Sequence, residues 1–396
     1  MKKMLSLAAM FAVLSYASPA SAELKIGGDA SVRMRDWGGT GNPTTDNVVW
    51  QYRIRLNGAA DFGDGYYFKA LATNETAAKN NYPGSATTTV LPAGGWQTVG
   101  YGNSEVYNLQ VSQFYFGHNS ACDHYAIGRL PLNSFNNPIF DLTLYPQQPF
   151  DIPVATINLD RIYGANYGLK VGDGDLNATF VVLDNNSFAD TAASGDGLLN
   201  DGYGLLASYK FNIGNVTLDP QVITVLTKSD VWSQSGLPIH YGFRPVTAGA
   251  NIAFPLGGIK FTASGFYTRG SGTTPAGAPT VVLNNSVTLN SSVLAGAKVD
   301  YFGDLFRIKG EYGPFMAWYD YNQTTDKSSD LAGGNQVYTN QFVWAQYKIN
   351  VHESAKGTFT IQPTFRYLTT KDHNNLVGSD TKDGRLRSEL WATVTF

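Results

Sequence analysis

The most constraining feature of this sequence is a two-residue alternation of apolar and polar side chains that recurs from residue 24 to the C-terminus. In the first segment, Ile26, Val32 and Met34 occupy even positions, whereas Arg33 and Arg35 occupy odd positions. Successive side chains of a β-strand point to opposite faces, so this period predicts strands with one apolar and one polar face.

Short and long connections alternate strictly between these segments. Short turns are expected at residues 63–65, 117–123, 172–175, 212–215, 255–258, 302–304 and 352–357. Long polar loops are expected near residues 37–47, 75–103, 131–159, 185–200, 230–242, 271–290, 320–336 and 371–383. These connections separate sixteen strands, with fourteen or eighteen as the alternatives. Both termini fall on the short-turn side, so the sequence predicts an all-β fold, an antiparallel barrel that closes on itself.

The polar face of the strands indicates the environment of the barrel. It carries arginines, which a packed soluble core could not solvate but a wide polar lumen could. Aromatic residues lie near expected strand ends, as at the membrane–water interface of membrane proteins; examples are Phe62, Tyr66, Tyr209, Phe211, Tyr301 and Phe302. Only 15% of the residues are charged, against about 25% in ordinary soluble domains. A transmembrane β-barrel is therefore predicted.

The N-terminus has the pattern of a secretory signal peptide. Lys2 and Lys3 precede an apolar stretch over residues 4–17, and the small residues 20–22 form a cleavage site. The apolar stretch is shorter than the about 20 residues that a membrane-spanning helix needs. We therefore predict a signal peptide over residues 1–22 and a barrel over residues 23–396.

Several other classes of function are disfavoured by the sequence. No basic run suggests a nucleic-acid partner, and no paired cysteine motif suggests a cofactor or metal. His118, Cys122, Asp123 and His124 are close together in the second short turn, but their spacing matches no known metal site. We therefore expect neither a cofactor nor a metal. A barrel enzyme is the less favoured alternative, since none of the five histidines lies in a strand beside a serine motif.

The C-terminal segment resembles the closing strand of bacterial outer-membrane barrels. Leu386, Leu390 and Val394 alternate with polar residues up to the terminal Phe396. Together with Gly128-Arg129 and the long third loop, this segment makes the chain similar to the general diffusion porins, a family of sixteen-stranded trimeric barrels. The resemblance implies an outer-membrane homotrimer that contacts lipid, and passive diffusion of small hydrophilic solutes and ions. It also implies assembly by the barrel assembly machinery, with Phe396 as the signal.

The same resemblance implies that the third long loop, residues 131–159, folds into the lumen and narrows it. The acidic loop-tip motif of the enteric porins is missing, and residues 136–141 stand in its place. Asp141 and Asp151 are the carboxylates that we expect at the constriction. Alternatively, both are turn or capping residues.

Strand parity places a basic group on the lumen wall. Its members are Arg33, Arg35, Arg53, Arg55, Lys69, Arg129, Arg307, Lys309, Arg366, Arg385 and Arg387. Most lie on strands fifteen, sixteen, one, two and three, which are neighbours after closure; Arg307 and Lys309 are assigned to strand thirteen and Arg129 to strand five. A basic wall favours anions, so we expect a weak anion preference. Alternatively, the arginines pair with Asp29, Glu389 and loop carboxylates and only hold the wall.

Three aromatic residues, Phe342, Trp344 and Trp391, are also expected to face the lumen. They leave open a substrate-specific channel for sugars or organic anions.

Overall fold

The computed structural model describes residues 23–39, 48–74, 96–99, 109–131, 162–184, 202–227, 229–232, 238–273, 298–327, 336–374 and 378–396. These residues form β-strands joined by short turns. Within these ranges, no helix is long and apolar enough to span a membrane. The predicted signal peptide, residues 1–22, lies outside the described residues and stays a prediction.

Sixteen strands are present in the described part of the chain. In chain order they are β1 (Glu23–Gly39), β2 (Val49–Gly63), β3 (Tyr66–Thr73 and Gln97–Thr98), β4 (Gln110–Asn119), β5 (Asp123–Leu130), β6 (Ile162–Val171), β7 (Gly174–Asp184), β8 (Gly202–Ile213), β9 (Val216–Val225 and Ser229–Trp232), β10 (Pro238–Leu256), β11 (Ile259–Thr273), β12 (Lys298–Tyr312), β13 (Phe315–Asp326), β14 (Gln336–Tyr347 and Ile349–Ser354), β15 (Gly357–Asn374) and β16 (Ser379–Thr395). β3, β9 and β14 each consist of two segments that pair with one neighbouring strand.

Each strand pairs antiparallel with the next, and the last strand returns to the first. The register between β1 and β16 runs from Asp29 opposite Thr395 to Gly39 opposite Arg385. Beyond this ladder, the backbone N–H of Gly28 donates to the carbonyl of Phe396 at 2.9 Å, and the N–H of Phe396 donates back at 3.1 Å. The terminal residue thus completes the seam, and the predicted closed sixteen-stranded barrel is confirmed.

One predicted turn is wrong. Residues 302–304 lie inside β12, where Phe302 and Gly303 pair with strands on both sides. The turn is instead at Gly313-Pro314, where Gly313 has a φ of +53°, a left-handed conformation that glycine adopts without strain. Arg307 and Lys309 therefore belong to strand twelve and not to strand thirteen.

The other six predicted turns coincide with observed strand junctions. The predicted loop at 230–242 is shorter, because residues 229–232 and 238–242 are strand. Residues 132–159 of the predicted third long loop lie outside the described residues, and the folding of this loop into the lumen stays a prediction.

The two faces of the barrel wall differ as the alternation predicted. On β1, the outer residues Val32 and Met34 are 45% and 37% exposed, whereas the inner residues Arg33 and Arg35 are each 4% exposed. Aromatic rings collect on the outer face near the short turns, for example the stacked pair Phe254 and Phe261. An apolar outer face with a polar inner face is the arrangement of a barrel whose outside contacts lipid.

Candidate channel lining

The closure of the barrel assembles one basic sector on its inner face. We use this name for the inward-facing cations of β15, β16, β1, β2 and β3, which are Arg33, Arg35, Arg53, Arg55, Lys69, Arg366, Arg385 and Arg387. In the registers, Arg366 is opposite Arg387, and Arg53 is opposite Ser31, next to Arg33 on the same face. Like charges directly opposite each other repel, so this wall needs carboxylates to hold it.

Glu389 on β16 is the main carboxylate of the basic sector. Its side chain is fully buried and accepts from Arg35 Nε at 2.5 Å and Arg366 Nη2 at 2.8 Å, while Arg33 Nη1 is 3.8 Å away. Trp391 Nε1 donates to it as well, at 2.8 Å. One negative charge thus holds three guanidinium groups.

Asp29 plays the same part at the other side of the seam. Its Oδ2 accepts from Arg55 Nε at 2.7 Å, and its Oδ1 is 3.7 Å from Arg53 Nη2. The ion pairing that we considered as an alternative is therefore present. The arginines still outnumber these two buried carboxylates. Arg55 keeps 40% of its side chain exposed, and Arg385, which is 42% exposed, donates from Nε to Asp383 Oδ2 at 3.0 Å.

Tryptophan rings hold the guanidinium groups from the side. Arg366 lies 3.7 Å from the ring centre of Trp344, and Arg33 lies 4.0 Å from that of Trp96. Such cation–π contacts stabilise by about 0.5–2 kcal/mol each, depending on desolvation. The contacts continue around the wall from β2 to β12 in the order Arg53, Trp96, Arg33, Trp391, Arg366, Trp344, Trp318 and Arg307. The positive charges are consequently fixed in position.

The two cations of β12 are neutralised locally. Arg307 binds Asp320 of β13 through two hydrogen bonds, of 2.5 and 2.8 Å. Lys309 Nζ is 2.5 Å from Glu311 Oε1. Both cations face inward, yet they add little net charge to the basic sector.

The structure contradicts the prediction that Arg129 lines the lumen. Its neighbours in the register, Phe114 and Tyr163, are exposed on the outer face, whereas Leu130 next to it is buried inside. Arg129 Nη1 donates to the carbonyl of Val111 at 3.4 Å, and its guanidinium lies 5.8 Å from the Tyr163 ring. The parity of β5 therefore directs this arginine outward.

The remaining predicted site residues can be placed as follows. Asp141 and Asp151 lie outside the described residues. Phe396 lies at the seam between β16 and β1, where its backbone pairs with Gly28. Around the second short turn, His118 Nε2 contacts the carbonyl of Asp64 and His124 Nε2 contacts Asn177 Oδ1, each at 2.9 Å.

The inward-facing residues that the sequence analysis missed include Trp96, Trp318 and Asp320. Trp96 and Asp320 fall within expected loops. Trp318 follows the true turn at 313–314, which resets the parity so that even positions of β13 face inward. A Gly-Pro pair between two apolar segments was the signal that could have located this turn.

No protein-family model matches the sequence, and no curated protein matches it either. Among solved structures, the chain is similar to the outer membrane channel DcaP of Acinetobacter baumannii, with 14% identity, 96% of this chain and 99% of that chain covered, and a TM-score of 0.53. It is also similar to OmpT, an outer membrane protein of Vibrio cholerae. The outer-membrane-expressed form has 8% identity, covers 94% of this chain and 97% of that chain, and gives a TM-score of 0.52. This chain has the fold of outer-membrane β-barrels.

Proposed function

We propose that this protein is a porin of the bacterial outer membrane, a water-filled channel for passive diffusion of small hydrophilic solutes and ions with a weak preference for anions. The observation that carries the proposal is the basic sector: a closed barrel with an apolar outer face concentrates fixed arginines on one side of its inner wall. Burying charged side chains is costly in free energy. In a channel, these charges have a function, because they act on the ions that pass.

The anion preference follows from the charge balance of the basic sector. The carboxylates paired with it, the buried Asp29 and Glu389 and the partly exposed Asp383, are fewer than its cations. The lipid around the barrel has a low dielectric constant, so field lines are focused along the lumen. Small anions are then enriched near the wall, and small cations are depleted.

Further parts of the proposal come from the sequence. The third long loop narrows the lumen, and Asp141 and Asp151 oppose the basic sector across it. The protein is exported with residues 1–22 as a cleaved signal peptide and is inserted by the barrel assembly machinery through the strand that ends at Phe396. It forms a homotrimer, in which the second long loop, apart from the wall residues 96–98, contacts a neighbouring subunit.

We further propose that the protein is not an enzyme. Where a hydrogen-bond partner of a histidine ring is described, it is a backbone carbonyl, an amide or a carboxylate; the last is the His373–Asp380 pair at 2.7 Å. Among the hydrogen bonds of the described residues, none joins a serine, threonine or cysteine side chain to those rings, as a nucleophile activated by a histidine base would require.

Liposome swelling tests the proposal. The purified protein should admit small sugars and exclude large ones, with no release of fatty acid from the liposomes. Lipid hydrolysis without swelling would assign the barrel to the enzyme class. Saturable uptake of one solute would favour the substrate-specific channel.

A further inference from the structure

A recess of about 240 Å³ lies in the inner wall beside the basic sector. We call it the tryptophan recess; β12 to β16 form it, with Lys309, Met316, Trp318, Gln346, Gln362 and Trp391 among its lining residues. Sites for drug-sized ligands measure about 300–1,000 Å³. The tryptophan recess is therefore of a size for a single ring.

The tryptophan recess is electrically neutral despite the cations near it. Arg307 is held by both oxygens of Asp320, and Lys309 is paired with Glu311. A solute anion would have to compete with these carboxylates for Arg307 and Lys309. The recess consequently suits an uncharged polar solute better than an anion.

Three indole N–H groups belong to this part of the wall, and they differ in their partners. Trp344 Nε1 donates to Gln346 Oε1 at 2.9 Å, and Trp391 Nε1 donates to Glu389 Oε2 at 2.8 Å. Trp318 is only 8% exposed, yet its Nε1 donates to no acceptor among the described residues. A buried donor without an acceptor is costly, so a solute oxygen that accepts from Trp318 gains a hydrogen bond that the wall does not supply.

Two glutamines complete the polar part of the tryptophan recess. Gln362 Nε2 donates to Gln346 Oε1 at 3.2 Å, so each amide orients the other. An amide carries both a donor and an acceptor, and a pair with fixed orientation can therefore bind hydroxyl groups in both roles. Met316 and Trp391 provide apolar surface beside them.

We propose that the tryptophan recess is a binding subsite for a neutral carbohydrate ring; this inference rests on the proposed channel function. The C–H bonds on the flat face of a pyranose carry slight positive charge and are attracted to the negative face of an indole. Its hydroxyl groups can accept from Trp318 Nε1 and exchange hydrogen bonds with the two glutamines. Solutes would pause here during diffusion, next to the fixed arginines but not bound by them.

The test is the block of single-channel current by D-glucose, compared between Trp318→Phe and Trp50→Phe. The first substitution keeps an aromatic ring and removes the N–H, while Trp50, 53% exposed on the outer face, is the matched control. Loss of one hydrogen bond should raise the half-blocking glucose concentration about two- to tenfold in Trp318→Phe. The control should match the wild type, and Gln362→Leu should weaken the block in the same way.

The outcomes separate the two proposals. If the wild type conducts ions but glucose causes neither block nor excess current noise, the subsite is wrong and the channel stands. Equal block in Trp318→Phe and the wild type also contradicts the subsite. If benzoate blocks through Trp318 and glucose does not, the site binds anions and the inference is overturned. Absence of any conductance would contradict the proposed channel function itself.

Discussion

Glu389→Gln is the substitution that most sharply tests the role of the basic sector. It removes one negative charge that is fully buried between Arg35 and Arg366 and leaves the side-chain shape unchanged. An ion passing at roughly 8 Å from a unit charge feels about 0.5 kcal/mol in bulk water, and salt at 0.1 M reduces this by about half. Anions gain and cations lose this energy, so the chloride-to-potassium permeability ratio should rise about two- to fivefold.

The same substitution has a second, structural consequence. Removing one partner of a buried ion pair costs about 3–5 kcal/mol, and the neighbouring arginines would repel each other. Glu389→Gln should therefore unfold at a lower temperature, as seen by the heat-induced shift of the barrel on gel electrophoresis.

Reversal potentials in a KCl gradient measure the permeability ratio of Glu389→Gln. Glu353→Gln is the matched control, because Glu353 is an exposed carboxylate beside a short turn. A ratio that stays constant or falls in Glu389→Gln, or an equal change in both variants, would refute the reasoning that net wall charge sets selectivity.

Further predictions follow from other contacts. Asp320→Asn should destabilise the barrel by about 3–5 kcal/mol because it breaks the buried pair with Arg307; unchanged thermal unfolding would contradict this. Arg55→Ala should lower the anion preference because Arg55 is part of the basic sector, whereas Arg129→Ala should leave it unchanged because Arg129 points outward. Equal effects on the reversal potential would place both on the same face. Cys122 is exposed in a short turn, and the short turns of outer-membrane barrels lie on the periplasmic side, so a large polyethylene glycol maleimide should label it only after cells are opened. Labelling in intact cells would indicate the opposite orientation of the barrel in the membrane.

The strand pattern was predictable because alternation depends only on the local geometry of an extended chain. The sixteen strands follow from the strict alternation of short and long connections, and the inward side of Arg33, Arg366 and Arg385 follows from parity. The same reasoning failed where a turn was misplaced. If the turn lay at 302–304, the parity of the following strand would point Trp318 outward. Because the turn lies at Gly313-Pro314, the parity of β13 points Trp318 inward.

Contacts across the seam between β1 and β16 could not be predicted from the sequence. Glu389 could be recognised as a partner for arginines, but its simultaneous contact with Arg35 and Arg366 depends on the register of two strand pairs, one of them between the chain's ends. Trp96 is part of the wall because the next two residues, Gln97 and Thr98, pair with β2 although they lie within the second predicted loop. A two-residue segment carries no periodic signal.

The reversal potential of the wild-type protein in a planar bilayer with a KCl gradient tests the central claim most directly. A conducting pore whose reversal potential has the sign of a modest chloride preference is the expected result. A marked potassium preference would contradict the proposed role of the basic sector, and a protein that inserts without conducting would contradict the channel.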